Sequence, residues 1–285
     1  MDDRHDSNNV LHIGRRPVLR DATLVLAFSG WMDGGDVSTG TVRRLVDLLD
    51  AQPFAEIDGE SYYLLNFPGS MDFAALFRPN VRYEDGLIKK LEMPSNIFYC
   101  HEPANLVLFL GKEPNLHWRD FGQAILEVTH QVGVQRVLFV GSFGGAVPHT
   151  REPRLFVSSS NAELFPEMER YGLRRTNYEG PGSFTSYLLT QAPPAALEMI
   201  SLVAEIPCYL QGRNPISIEA VTRRLAKILK LPLDLESLRA ESTEWELEIS
   251  RIVEQDKDLT KTVRSLEEVY DNELLQQESS EPEEN

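Results

Sequence analysis

The sequence predicts an α/β protein: a mostly parallel sheet flanked by helices, with a helical extension toward the C-terminal end. Two observations predict it. Short, nearly unbroken apolar runs, the pattern of strands buried on both faces, lead into glycine-bearing loops. Amphipathic stripes follow those loops, so strand and helix alternate along the chain.

The first apolar run, residues 23–28, enters the loop Ser29-Gly30-Trp31-Met32-Asp33-Gly34-Gly35. Val37, Val42, Leu45, Val46 and Leu49 then mark one face of a helix that ends before Pro53. Residues 62–65 are predicted as a second strand and 106–111 as a third, the latter followed by a helix over 116–131. Residues 136–141 form the next strand and run into Ser142-Phe143-Gly144-Gly145. A strand over 155–159 and a short helix over 162–170 follow. Gly180-Pro181-Gly182 opens a helix that reaches residue 189. Residues 195–206 suit a buried strand or a helix end, and 218–229 is an amphipathic helix. Pro232 closes the body.

This pattern divides the chain into four parts: a flexible N-terminus (1–15), an α/β core (16–235), an amphipathic helical extension (236–275) and a disordered acidic tail (276–285). In the extension, Trp245, Ile249, Ile252, Asp256, Leu259, Val263, Leu266 and Tyr270 follow a 4-3-4-3 spacing with Asp256 as a polar interruption. Such a seam packs either on its own domain or on another subunit or partner.

A chain of 285 residues can bury one substantial core with an appendage. Its net charge of −16 is uneven: 16 acids and 5 bases stand from Glu236 onward, so the body is close to balance. A balanced body and an acidic tail argue against a nucleic-acid partner, which needs a basic patch. Cys100 and Cys208 are the only cysteines and form no CxxC pair, and the histidines match no metal motif, so no metal or cofactor is expected. The N-terminal residues lack the apolar run of a signal peptide, and no stretch suits a membrane span, so a cytoplasmic protein without a membrane partner is expected.

The first loop invites comparison with a phosphate cradle but has no Walker lysine, and Gly30, Gly34 and Gly35 do not fit GxGxxG. Asp33 and Asp36 suit helix capping better than phosphate contact. Trp31 either plugs the sheet end or marks a contact surface. After the later strand, Gly144 and Gly145 form a turn, and His149 and Arg151 follow as a candidate acid/base and a candidate anion partner. Loops after adjacent parallel strands meet at the carboxyl edge of the sheet, where ligands bind. Glu113, with Trp118 in the next helix, joins the same edge; its carboxylate either faces Asp33 and His149 or orients the loop through backbone N–H groups. Ser142 lacks the first glycine of a GxSxG elbow.

These landmarks together resemble the proteasome assembly chaperone family, in its bacterial, largely uncharacterised branch. The matching pieces, in order, are the loop from Phe28 to Gly35, then Leu110-Gly111-Lys112-Glu113-Pro114 with Trp118, then Gly141-Ser142-Phe143-Gly144-Gly145 continuing to Arg151. Gly180-Pro181-Gly182, Glu205-Ile206-Pro207-Cys208-Tyr209-Leu210 and Leu229-Lys230-Leu231-Pro232-Leu233-Asp234 complete the set. The resemblance implies a three-layer fold similar to nucleoside phosphorylases and related hydrolases. It also implies self-association as a homo-oligomer, a trimer being one candidate state, and a protein partner, since eukaryotic relatives escort proteasome α-subunits. Two readings follow. One is a non-catalytic protein-binding or assembly-chaperone-like scaffold. The other is an enzyme of the phosphorylase or hydrolase type, with Asp33, Glu113, His149 and Arg151 lining one pocket.

Overall fold

The structure is a computed structural model that describes residues 10–278. The chain opens with β1 (Leu11–Ile13) and β2 (Ala22–Ser29), then α1 (Val37–Leu49), β3 (Gln52–Ile57) and the short α2 (Met71–Ala75). A hairpin of β4 (Asn80–Glu84) and β5 (Leu87–Glu92) precedes β6 (Ile97–His101) and β7 (Leu106–Lys112). Next come α3 (Trp118–Gln131), the long β8 (Val134–Gly145), β9 (Leu155–Ser159), α4 (Phe165–Arg170), β10 (Arg174–Arg175) and α5 (Phe184–Gln191). The chain continues through β11 (Glu198–Pro207) and α6 (Pro215–Ile228) to α7 (Glu236–Glu254) and α8 (Lys257–Glu278).

Nine strands form one sheet in the order β1-β3-β6-β7-β2-β8-β11-β9-β10. The expected parallel sheet is its centre: β7, β2, β8 and β11 pair in parallel, while β1, β3 and β6 on one side and β9 on the other join antiparallel. The centre is buried on both faces because β2 sends alternate side chains to two cores. Leu24, Leu26 and Phe28 meet α3 and α5 through Phe121, Ile125, Phe184 and Leu188. Val25 and Ala27 meet α1 and α6 through Val42, Leu45, Val221 and Leu225. Helices on both faces make the three-layer α/β fold.

The helix predicted after the first loop and the strand reading of residues 195–206 agree with α1 and β11. Residues 62–65 form no strand. Tyr62 and Tyr63 instead tuck into the core from a turn, where the Tyr63 hydroxyl donates to the Lys112 carbonyl at 2.7 Å and lies 2.6 Å from Asn96 Oδ1. The neighbouring strand is β3, whose pairing with β6 shifts register between Pro53 and Ala55, so the proline stands at an irregularity where its missing N–H is tolerated. The segment expected to be flexible contributes β1, with His12 opposite Glu56; residues 1–9 lie outside the described residues. Of the expected disordered tail, residues 276–278 continue α8, and 279–285 lie outside the described residues.

The heptad-like seam belongs to two helices. Asp256 interrupts it because its carboxylate accepts from the N–H groups of Asp258 (2.9 Å) and Leu259 (3.0 Å) and so caps α8. Val253, Val263 and Tyr270 are buried against the chain's own body. Arg44 and Arg213 both pair with Glu241 and tie α7 to α1 and to the α6 approach.

Candidate functional site

The loops after β2 and β8 are zipped together at the carboxyl edge of the sheet. Beyond Gly30, which takes φ +132°, the Ser142 N–H donates to the Met32 carbonyl at 2.8 Å and its hydroxyl to the Gly34 carbonyl at 2.7 Å. A single bridge pairs Asp33 with Ser142. The Asp33 carboxylate accepts from the Thr39 N–H at 3.0 Å and from the Thr39 hydroxyl at 2.8 Å, so it caps α1 from outside. Burial pushes its pKa up to about 6, against the lowering effect of the Thr39 hydrogen bonds. Gly35 has φ +65°, and a Cβ there would stand 2.8 Å from the Asn214 Cβ, so backbone and space both demand glycine.

Glu113 follows β7 and acts as a clamp. One carboxylate oxygen accepts from the Trp31 N–H at 3.1 Å and the other from the Phe184 N–H at 2.8 Å, which joins the first loop to the start of α5. Its own N–H donates to the Ser29 carbonyl at 2.9 Å. Trp118 opens α3 and donates its indole N–H to the Pro114 carbonyl at 2.8 Å, with its ring edge-on to Phe184. Trp31 itself is 65% exposed and forms part of the rim of a 420 Å³ cavity over the β8, β11 and β9 face.

At the end of β8, a Cβ on Gly145 would stand 2.3 Å from Glu205, whereas Gly144 meets only Cys208 at 3.4 Å. Glu205 is buried; it accepts from the Ala146 N–H at 2.7 Å and pairs with buried Arg154 at 3.0 Å. Arg154 continues to Glu273 of α8 at 3.0 Å and lies over the Tyr270 ring. His149 is buried, with Nδ1 2.7 Å from the Tyr209 hydroxyl and Nε2 3.1 Å from the Ser250 hydroxyl of α7. The Tyr209 oxygen also accepts the His149 N–H, so a neutral ring protonated on Nε2 satisfies all three contacts. Burial lowers the His149 pKa and pushes that of Tyr209 up to about 12. Arg151 binds Asp271 of α8 through two parallel contacts of 2.8 Å and reaches Glu267 at 3.7 Å.

The four residues suggested for catalysis therefore form no single constellation. Asp33 caps a helix, Glu113 clamps two loops, and His149 and Arg151 hold α7 and α8. Among the described residues, none of the four hydrogen-bonds or ion-pairs with another. Sequence reading missed the partners that define these roles. Glu205 and Tyr209 lie in a segment that carries the family resemblance but no assigned role, and Arg154 sits in a loop with no motif.

Both sequence and fold are shared with known proteins. The model of the PAC2 family matches residues 27–253. A proteasome-assembly chaperone homologue from Mycobacterium tuberculosis is 30% identical, with a TM-score of 0.72 over 85% of this chain and 99% of its own. A PAC2 family protein from Streptomyces avermitilis is 27% identical, with a TM-score of 0.71 over 85% of this chain and 100% of its own. A second M. tuberculosis protein, of unknown function, shares the fold at 23% identity with a TM-score of 0.82, over 95% of this chain and 91% of its own. A search of curated proteins finds no match.

Proposed function

Because the chain belongs to the PAC2 family, we propose that it works as a non-catalytic, assembly-chaperone-like protein: a homo-oligomeric scaffold that holds a protein partner in the cytoplasm. The observation that carries this reading is the arm formed by residues 67–93. Among the described residues, strands β4 and β5 pair only with each other, and every residue in both is exposed. Met71 is 84% exposed, Leu76 75%, Leu87 65%, and Ile88 and Tyr83 are nearly as open. A two-stranded hairpin is marginal on its own, and an apolar surface of this kind is a docking surface or a liability. A second copy of the chain is the proposed cover, because it is present wherever the arm is and in equal amount. The resemblance of the M. tuberculosis relative, a proteasome-assembly chaperone homologue, supports a protein partner for the assembled scaffold. Among the described residues, no helix is long and apolar enough to cross a membrane.

The enzyme reading rests on four side chains that are already committed to caps, clamps and ion pairs within the chain. The test of the scaffold reading is the mass in solution. Light scattering coupled to size exclusion is expected to give a multiple of 32.3 kDa for the native chain, and a single-subunit mass for the double variant Leu87→Glu, Ile88→Lys. A native chain that elutes as one subunit, or a variant that keeps the native mass, would defeat the proposal.

A further inference from the structure

The cavity rimmed by Trp31 has a chemistry of its own. Alternation along β11 sends Ile200, Leu202 and Ala204 into the core beneath α6, which leaves Ser201 and Val203 on the opposite face. On β9, Leu155 and Val157 make the same division, with Phe156 and Ser158 opposite Val203 and Ser201 in the register. Small side chains at 158 and 201 leave open the space that larger ones would fill, and Phe143 and Tyr178 stand as aromatic walls.

Among the described residues, none that lines this 420 Å³ space carries a charge. Ser158 and Ser201 both line this space, opposite each other in the register of β9 and β11, so their hydroxyls are polar groups at one end of an otherwise largely apolar wall. A ligand with a polar edge would pair with their hydroxyls there. A volume of a few hundred cubic ångströms with apolar walls and a few convergent polar groups matches a small-molecule site and exceeds what one side chain fills. A charged ligand would lose its hydration with no counter-charge to replace it.

We propose that this cavity binds a small, neutral, planar aromatic molecule, stacked on Tyr178 and Phe143 with a polar edge toward Ser158 and Ser201. The site is independent of the self-association reading, because no residue of the arm lines it.

Calorimetric titration of the full chain with 2-naphthol and with 2-naphthoate, which share one ring system and differ in charge, tests it. Saturable 2-naphthol binding is expected, with 2-naphthoate at least tenfold weaker. Ser201→Phe should place a ring across the floor of the cavity and weaken 2-naphthol binding at least tenfold. Tyr178→Ser alters an exposed wall, so its folding is safe, and it should weaken 2-naphthol about tenfold. The arm double variant should bind as the native chain does. Absence of 2-naphthol binding, equal binding of the carboxylate, native affinity in Tyr178→Ser, or loss in the arm variant alone would each overturn the proposal.

Discussion

Asp33 carries two opposed effects in one side chain. Its hydrogen bonds from Thr39 hold α1 in place, while its burial makes the ionised form costly, and the second effect wins: the pKa rises from 3.8 to about 6. A carboxyl that is more basic in the folded chain than in the unfolded one favours the fold while protonated. That contribution is complete below pH 3.8 and is lost as pH rises through 6. An asparagine in its place would keep an acceptor for the Thr39 N–H without the titration. The urea-unfolding free energy of the native chain should therefore fall relative to Asp33→Asn by about 1–3 kcal/mol between pH 4 and pH 7; parallel profiles would contradict it. The capping role was legible in the sequence because an aspartate just before a helical stripe has a short-range use. The clamp by Glu113 was legible only as one of two options, because one of its partners, the Phe184 N–H, lies 71 residues away. Spacing along the chain holds no record of so distant a contact.

At the scale of elements, strength of pattern decided what could be read. Helix α1 and the central strands follow from long, consistent periodicity. The antiparallel strands β3 and β6 do not, since Pro53 looks like a terminator and the Tyr62–Tyr63 pair looks like a strand core. Both features are better explained by tertiary contacts, one at a register shift and the other against Asn96. The seam of the C-terminal extension shows the same limit: the apolar spacing is real, but Asp256 ends one helix and begins another. Asp256→Ala should cost about 1 kcal/mol of stability through loss of the α8 cap, measured by chemical denaturation. A cost near zero would mean that the ion pairs of α8 with Arg151 and Arg154 hold the helix without its cap.

For the whole molecule, α7 and α8 form an outer layer attached through buried Leu238, Val253, Val263 and Tyr270 and through polar contacts to the 149–154 loop and to α6. Removing residues 236–285 should lower the melting temperature by several degrees, because Val253, Val263 and Tyr270 leave a surface that also loses the partners of His149 and Arg154. The number of subunits should not change, since the arm lies elsewhere. Scanning fluorimetry reads the first outcome and light scattering the second. A truncated chain that becomes a single subunit would move the association surface from the arm to the tail.

The arm is also placed so that the core does not depend on it. The chain leaves β3 and re-enters β6 where the Ile57 N–H still reaches the Asn96 carbonyl at 2.9 Å, so the stem is closed before the excursion begins. The hairpin hangs from that stem as a graft hangs from a stock. On the self-association reading proposed above, mutations there would change which surfaces the arm meets while leaving intact the sheet that carries it, so contact surface and scaffold would be free to evolve at different rates.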